Sequence, residues 1–134
     1  MKISNAVFRY IEYEMYCYKD TKKELELYKE EIMEGRPSSE VSVQSGLGDS
    51  TASKGIKLMT SPFILKAEKT IRAVDNSLNM LCDNHRELFE LKYIQGLPVN
   101  EVYLEMNISE RSYYRIRRQL VTVVGQQLGL INVE

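Results

Sequence analysis

The stretch that decides the fold is residues 96–120, GLPVNEVYLEMNISERSYYRIRRQL. Pro98 suits the first turn of a short helix, and three residues give that helix an apolar face: Val99, Val102 and Met106. Asn107 stands where a tight turn needs a residue that tolerates a positive φ. Ser109 is a strong N-cap for the next helix. Two short helices joined by a tight turn predict a helix-turn-helix at about 99–123.

The second helix of this pattern separates apolar from basic side chains. At about 100° per residue, four residues form a buried stripe: Tyr113, Ile116, Leu120 and Val124. The opposite, solvent face carries Arg111, Arg115, Arg118 and Thr122, and it is flanked by Ser112 and Tyr114. Residues 109–123 hold four arginines and one glutamate, hence a local charge of +3. This is the electrostatic footprint of a recognition helix.

Arginine is suited to binding double-stranded DNA, because its planar fork bonds guanine O6 and N7 together or clamps a phosphate. An alternative is that these arginines form surface salt bridges with Glu101, Glu105 and Glu110, although such pairs stabilise a fold little. Arg117 lies about 40° from the buried stripe. Packing of its stem and a phosphate contact are both open interpretations for this residue.

Two further helices precede the motif. Ser61 followed by Pro62 is a start signal, and a stripe at steps of three and four predicts a helix over about 62–82: Ile64, Ala67, Ile71, Val74, Leu78 and Leu81. Another helix is expected from Asp83 or Asn84 to Gly96. Its apolar face holds Leu88, Phe89, Leu91 and Tyr93.

The N-terminal segment, from Ser4 to about residue 34, also has helical periodicity. Its stripe is Phe8, Ile11, Met15, Tyr18, Leu25 and Ile32. Thr21 and Glu24 form a capping box inside it, which predicts either a kink near 19–21 or two helices at about 5–19 and 22–34. Several residues point away from the stripe and indicate contact with another element or a second subunit: Tyr10, Tyr13, Tyr16 and Cys17.

Residues 36–61 are rich in serine and glycine and have no period, so they are interpreted as a flexible linker. The predicted fold is therefore all-α, with an N-terminal helical arm (1–35), the linker (36–61) and a C-terminal helical DNA-binding domain (62–134). Some apolar residues of this linker are candidates for docking onto the helices: Val41, Val43 and the run at 56–59.

Composition excludes several classes. The chain has 134 residues and a net charge of −1, so bulk charge does not drive binding to nucleic acid. It contains no apolar run of membrane-spanning length and no signal peptide, which predicts a cytoplasmic protein. Cys17 and Cys82 have no CxxC spacing and are expected to be buried free thiols. A single histidine, His85, is expected to cap a helix or lie at the surface. We expect no metal, no cofactor and no enzymatic activity, since nucleotide-binding and nucleophile motifs are absent from the sequence.

Residues 84–120, NHRELFELKYIQGLPVNEVYLEMNISERSYYRIRRQL, resemble DNA-binding region 4 of bacterial sigma factors. Tyr103 departs from the small alanine usual there, and Ile116 with Arg117 reverses the usual order. These departures, and the absence of a region 2, indicate that this is not an ordinary sigma factor. The chain resembles small phage and prophage regulators of the RinA/ArpU type more closely, because NISERSYYRIRRQL fits their pattern.

That resemblance implies a transcriptional regulator, specifically an activator of late phage or prophage genes. It implies that the DNA-facing residues are Ser109, Arg111, Ser112, Arg115 and Arg118. The predicted partner is double-stranded DNA. Because a single helix-turn-helix usually binds weakly, a further partner is expected, and two routes are open: a second copy bound through the N-terminal arm, or host RNA polymerase. Two alternatives are a DNA-packaging adaptor similar to terminase small subunits, which form large rings, and a helper of RNA polymerase or sigma factor that does not bind DNA.

Overall fold

The computed structural model describes residues 3–34 and 61–132, and the regular secondary structure of these residues is entirely helical. The helices are α1 (Asn5–Glu34), α2 (Pro62–Met80), α3 (Asp83–Leu88), α4 (Val99–Glu105) and α5 (Glu110–Gln127), with a π-helical segment (Phe89–Ile94) directly after α3. The all-α prediction is confirmed. The predicted linker, including Val41, Val43 and the run at 56–59, lies outside the described residues. No helix in the described ranges has the length and apolar character needed to cross a bilayer.

Helix α1 is continuous, so the two-helix alternative is wrong, and the alternative of a kink near 19–21 stays a prediction. Its start is capped by Ser4, whose Oγ accepts a hydrogen bond from the Val7 N–H at 3.2 Å. The stretch around Thr21 contains neither glycine nor proline. Nothing there interrupts the backbone ladder, and a capping box does not by itself end a helix whose flanking residues continue the pattern.

The described residues divide into two compact units, 3–19 with 70–132 and 20–34 with 61–69. This division differs from the predicted boundary at residue 35. The first part of α1 belongs with the C-terminal helices because Ile11 and Met15 are fully buried in their core. The part of the α1 stripe from Phe8 to Tyr18 therefore packs in the same core as α5.

The core of the larger unit confirms the predicted stripes. The buried residues of α4 and α5 include Val102, Tyr113, Ile116, Leu120 and Val124. The π-helical segment and the end of α3 contribute Leu88, Phe89, Leu91 and Tyr93. Gly125 is also buried on α5, and an added Cβ there would lie 2.4 Å from Ile131 Cδ1 and 2.6 Å from Ile11 Cδ1. The absence of a side chain at 125 thus allows these two isoleucines to approach the helix.

The smaller unit has its own contacts. Leu25 of α1 and Ile64 and Ala67 of α2 are buried. Lys29 Nζ lies 2.6 Å from Glu68 Oε2, and the Tyr28 and Phe63 rings meet edge to face with centroids 5.2 Å apart. These contacts pair the second part of α1 with the first part of α2.

Two sequence expectations for single residues are wrong. His85 is buried, with Nε2 2.9 Å from Gln119 Oε1, because it lies one turn before Leu88 on the face of α3 that packs inward. The expectation that both thiols are buried fails for Cys82, which is exposed at the start of α3, while Cys17 is half-buried. Both cysteines are free.

Candidate nucleic-acid interface

The turn between α4 and α5 fixes the direction in which α5 leaves. Asn107 has φ +59°, a left-handed conformation that asparagine tolerates better than most residues with a side chain. The Ile108 N–H donates to the Tyr103 carbonyl at 3.1 Å, which closes the turn. Ser109 then caps α5, since its Oγ accepts from the Ser112 N–H at 3.1 Å. The predicted turn residue and N-cap are both confirmed.

Helix α4 packs on the beginning of α5. Val102 is fully buried and Met106 nearly so, and both belong to the core that contains Tyr113. The Tyr103 and Tyr113 rings have centroids 6.2 Å apart. Tyr103 is half-buried. The two helices and their turn therefore form one packed element that presents a single outer face of α5.

That outer face is basic. The side chains of Arg111, Arg115 and Arg118 are all exposed. No carboxylate among residues 3–34 and 61–132 forms an ion pair with any of the three. The alternative of salt bridges to Glu101, Glu105 and Glu110 is thus not seen in the described part of the chain. We call this row of three guanidinium groups the arginine face.

The other predicted site residues border this face. Ser109 is exposed and Ser112 half-buried, and the Ser109 Oγ donates to the Ser112 Oγ at 3.1 Å. Tyr114 is exposed, with its ring edge-on to Tyr113 at 5.0 Å. Thr122 is half-buried towards the end of α5. The two serines are engaged in capping, whereas Tyr114 is an exposed aromatic residue next to Arg115 in the sequence.

Arg117 does not belong to the arginine face. Its Nε and Nη2 donate to the two carboxylate oxygens of Glu12, at 2.9 Å and 2.8 Å. Its guanidinium carbon lies 4.9 Å from the centroid of the Phe8 ring. The structure therefore favours packing over the phosphate contact for this residue, and the assignment of Arg117 to DNA binding is corrected. Its guanidinium ties α5 to α1.

Glu12 is the centre of this contact. It also accepts a hydrogen bond from the Tyr93 hydroxyl at 2.6 Å. Burial opposes ionisation of the carboxyl, but the hydrogen bonds from Arg117 and Tyr93 outweigh it, so the pKa of Glu12 lies below its ordinary value. Burial, together with the Glu12 charge, raises the pKa of the Tyr93 hydroxyl. The carboxylate thus stays ionised and holds two neighbouring elements.

Lys92 continues the network under α5. It is buried, and its Nζ lies 5.5 Å from the ring centroids of Tyr16 and Tyr93 and 5.9 Å from that of Tyr113. Sequence reasoning missed Glu12, Lys92 and Tyr93 as residues that position α5. The only local signal for this contact was the position of Glu12 next to the apolar stripe of α1. Its partner Arg117 is 105 residues away in the sequence.

The outer face of α5 thus presents three exposed, positively charged side chains. Across the described residues, no group of three or more histidine, cysteine or carboxylate side chains is arranged to hold a metal ion. A scan against protein-family models gives no match, and neither curated proteins nor solved structures yield a similar protein.

Proposed function

We propose that this protein is a sequence-specific binder of double-stranded DNA that regulates transcription, with α4, the turn and α5 acting as a helix-turn-helix. The observation that carries the proposal is the arginine face. Three exposed guanidinium groups without carboxylate partners in the described residues lie on the side of α5 opposite its buried stripe. Unpaired cations on one helix face are available to phosphates and base edges.

The mechanism is geometric. In this class of motif the second helix enters the major groove and the first crosses the backbone. Arg111 and Arg115 lie in the N-terminal half of α5, where base edges are reached, so we assign them to base contacts. Arg118 is assigned to a phosphate, and Tyr114 and Thr122 to the borders of the contact. Arg117 and Glu12 set the orientation of α5 without touching DNA.

The biological setting that we propose is activation of late genes of a phage or prophage. It is supported by the resemblance of residues 84–120 to sigma region 4 and of 107–120 to RinA/ArpU-type regulators. Host RNA polymerase is the proposed protein target of the activator.

Selection of bound fragments from genomic DNA, followed by anisotropy titrations, tests the proposal. We expect Arg115→Ala to lower affinity for the selected site by roughly 5- to 150-fold, since a bidentate base contact is worth about 1–3 kcal/mol. Arg118→Ala should weaken binding to all sequences alike and reduce the salt slope by about 1.

Arg72→Ala is the matched control, because Arg72 is an exposed arginine on α2 for which the described residues provide no ion-pair partner. Its affinity should equal that of the wild type. If the purified wild-type chain does not bind DNA even at low ionic strength, or if Arg115→Ala binds as tightly and selectively as wild type, the proposed interface is wrong.

A further inference from the structure

Helix α1 carries a second apolar stripe on the side turned away from the core. It consists of Ala6, Tyr10, Tyr13 and Cys17, which follow one another at steps of four, three and four. These four residues, which we call the outer seam, lie within about 60° of each other around the helix axis. Tyr10 is 44% and Tyr13 62% exposed. The core contacts of α1 use the other side of the helix, where Ile11 and Met15 are fully buried.

The spacing of the outer seam is that of the a and d positions of a coiled coil. Tyr10 and Cys17 then occupy a positions, and Ala6 and Tyr13 occupy d positions. In this register Arg9 is a g residue and Glu14 is the e residue five positions later. In a parallel helix pair, g of one helix faces this e residue of the other.

The flanking charges select the partner and the direction. When two copies of α1 pair in parallel, Arg9 of each copy meets Glu14 of the other, which gives two opposite-charge pairs. In an antiparallel pair, equal edges of the two helices meet, so these two residues would not face each other. Within residues 3–34 and 61–132 neither Arg9 nor Glu14 forms an ion pair.

We propose that the occupant of the outer seam is α1 of a second copy of this chain, packed in parallel about a two-fold axis. The seam has only four layers, so pairing is weak and depends on concentration. The pairing does not depend on DNA binding, and its tests are made without DNA. Only one consequence rests on the proposed function: a two-fold dimer would present two copies of α5 to two related half-sites.

Sedimentation of the full chain, from about 1 to 300 µM, tests the pairing, since this range brackets the dissociation constants expected of a weak dimer. We expect a monomer–dimer equilibrium. Tyr13→Glu should raise the dissociation constant by more than about tenfold, because it removes an aromatic pair and introduces like charges into a layer. Leu104→Glu is the matched control, since Leu104 is 69% exposed on α4, outside the seam. Its dissociation constant should not change.

Charge reversal tests the register. Arg9→Glu and Glu14→Arg should each weaken the dimer by about threefold, as each variant creates like-charge pairs, and the double variant should restore it. All variants are at exposed or half-exposed positions, and thermal unfolding of each verifies that the fold is retained.

The cysteines test the direction of the helices. A parallel seam brings the two Cys17 thiols into one layer. Diamide takes up two electrons and two protons as two thiols become one disulfide. It should therefore link Cys82→Ser chains into dimers and leave Cys17→Ser chains unlinked.

Each of three results would overturn the proposal: a monomer throughout the concentration range, a closed ring of many copies, or a dimer unaffected by Tyr13→Glu. Linkage through Cys82 alone, or failure of the double charge reversal to restore association, would also overturn it.

Discussion

Replacing Glu12 by glutamine removes the negative charge that Arg117 and Tyr93 share while keeping the size of the side chain. The Glu12 side chain is 12% and the Arg117 side chain 27% exposed. Leaving a fully buried charge without its partner costs about 3–5 kcal/mol, whereas exposed pairs contribute about 0.2–1 kcal/mol. Because this pair is mostly but not wholly buried, we expect the free energy of unfolding to fall by about 2–3 kcal/mol.

Urea unfolding at neutral pH measures this loss. Glu87→Gln is the control, because Glu87 is exposed on α3 and forms no ion pair with the described residues. Its free energy of unfolding should change by less than about 0.5 kcal/mol. A double-mutant cycle with Arg117→Met isolates the coupling between Glu12 and Arg117. A loss for Glu12→Gln no larger than that of the control, or a coupling near zero, would refute the view that this contact holds α5 in place.

Three further outcomes follow, one from the same residues and two from the cap of α5. The pKa of Glu12 is below its ordinary value, so its stabilising contribution is present at neutral pH and is lost as the pH falls through the folded-state pKa. The stability difference between wild type and Glu12→Gln should therefore shrink below about pH 4, and a difference that grows on acidification contradicts the assignment. Ser109→Ala should lose about 1 kcal/mol of unfolding free energy. Ser109→Asp should retain the cap yet weaken DNA binding by placing a negative charge beside the arginine face, and undiminished binding by this variant argues against the interface.

The local pattern was sufficient to predict the surface of α5. A helix of known period fixes which side chains face together, so the buried stripe from Tyr113 to Val124 and the exposure of Arg111, Arg115 and Arg118 could be read from spacing alone. The turn between α4 and α5 was also predictable from local sequence, because Asn107 and Ser109 act through their own backbone and that of their immediate neighbours.

The contacts that connect distant parts of the chain were not predictable. The angular position of Arg117 left packing and phosphate binding open, and its partner on α1 decides between them. His85 has no local feature that distinguishes a surface residue from a buried one, since its burial depends on how α3 meets α5. The π-helical segment and the membership of residues 5–19 in the larger unit likewise arise from tertiary packing, which a single-sequence pattern does not encode.

The bond between residue 12 and residue 117 has a consequence for biosynthesis. A ribosome adds about 5–20 residues each second, so α1 waits roughly 5–20 s before Arg117 has been added to the chain. During that interval the first helix exposes the inward apolar side that later becomes core. A nascent polypeptide released before Arg117 would lack the contacts of α5 with this side, and such fragments are natural targets for chaperones and proteases. Premature termination should therefore eliminate the protein rather than produce a shortened competitor.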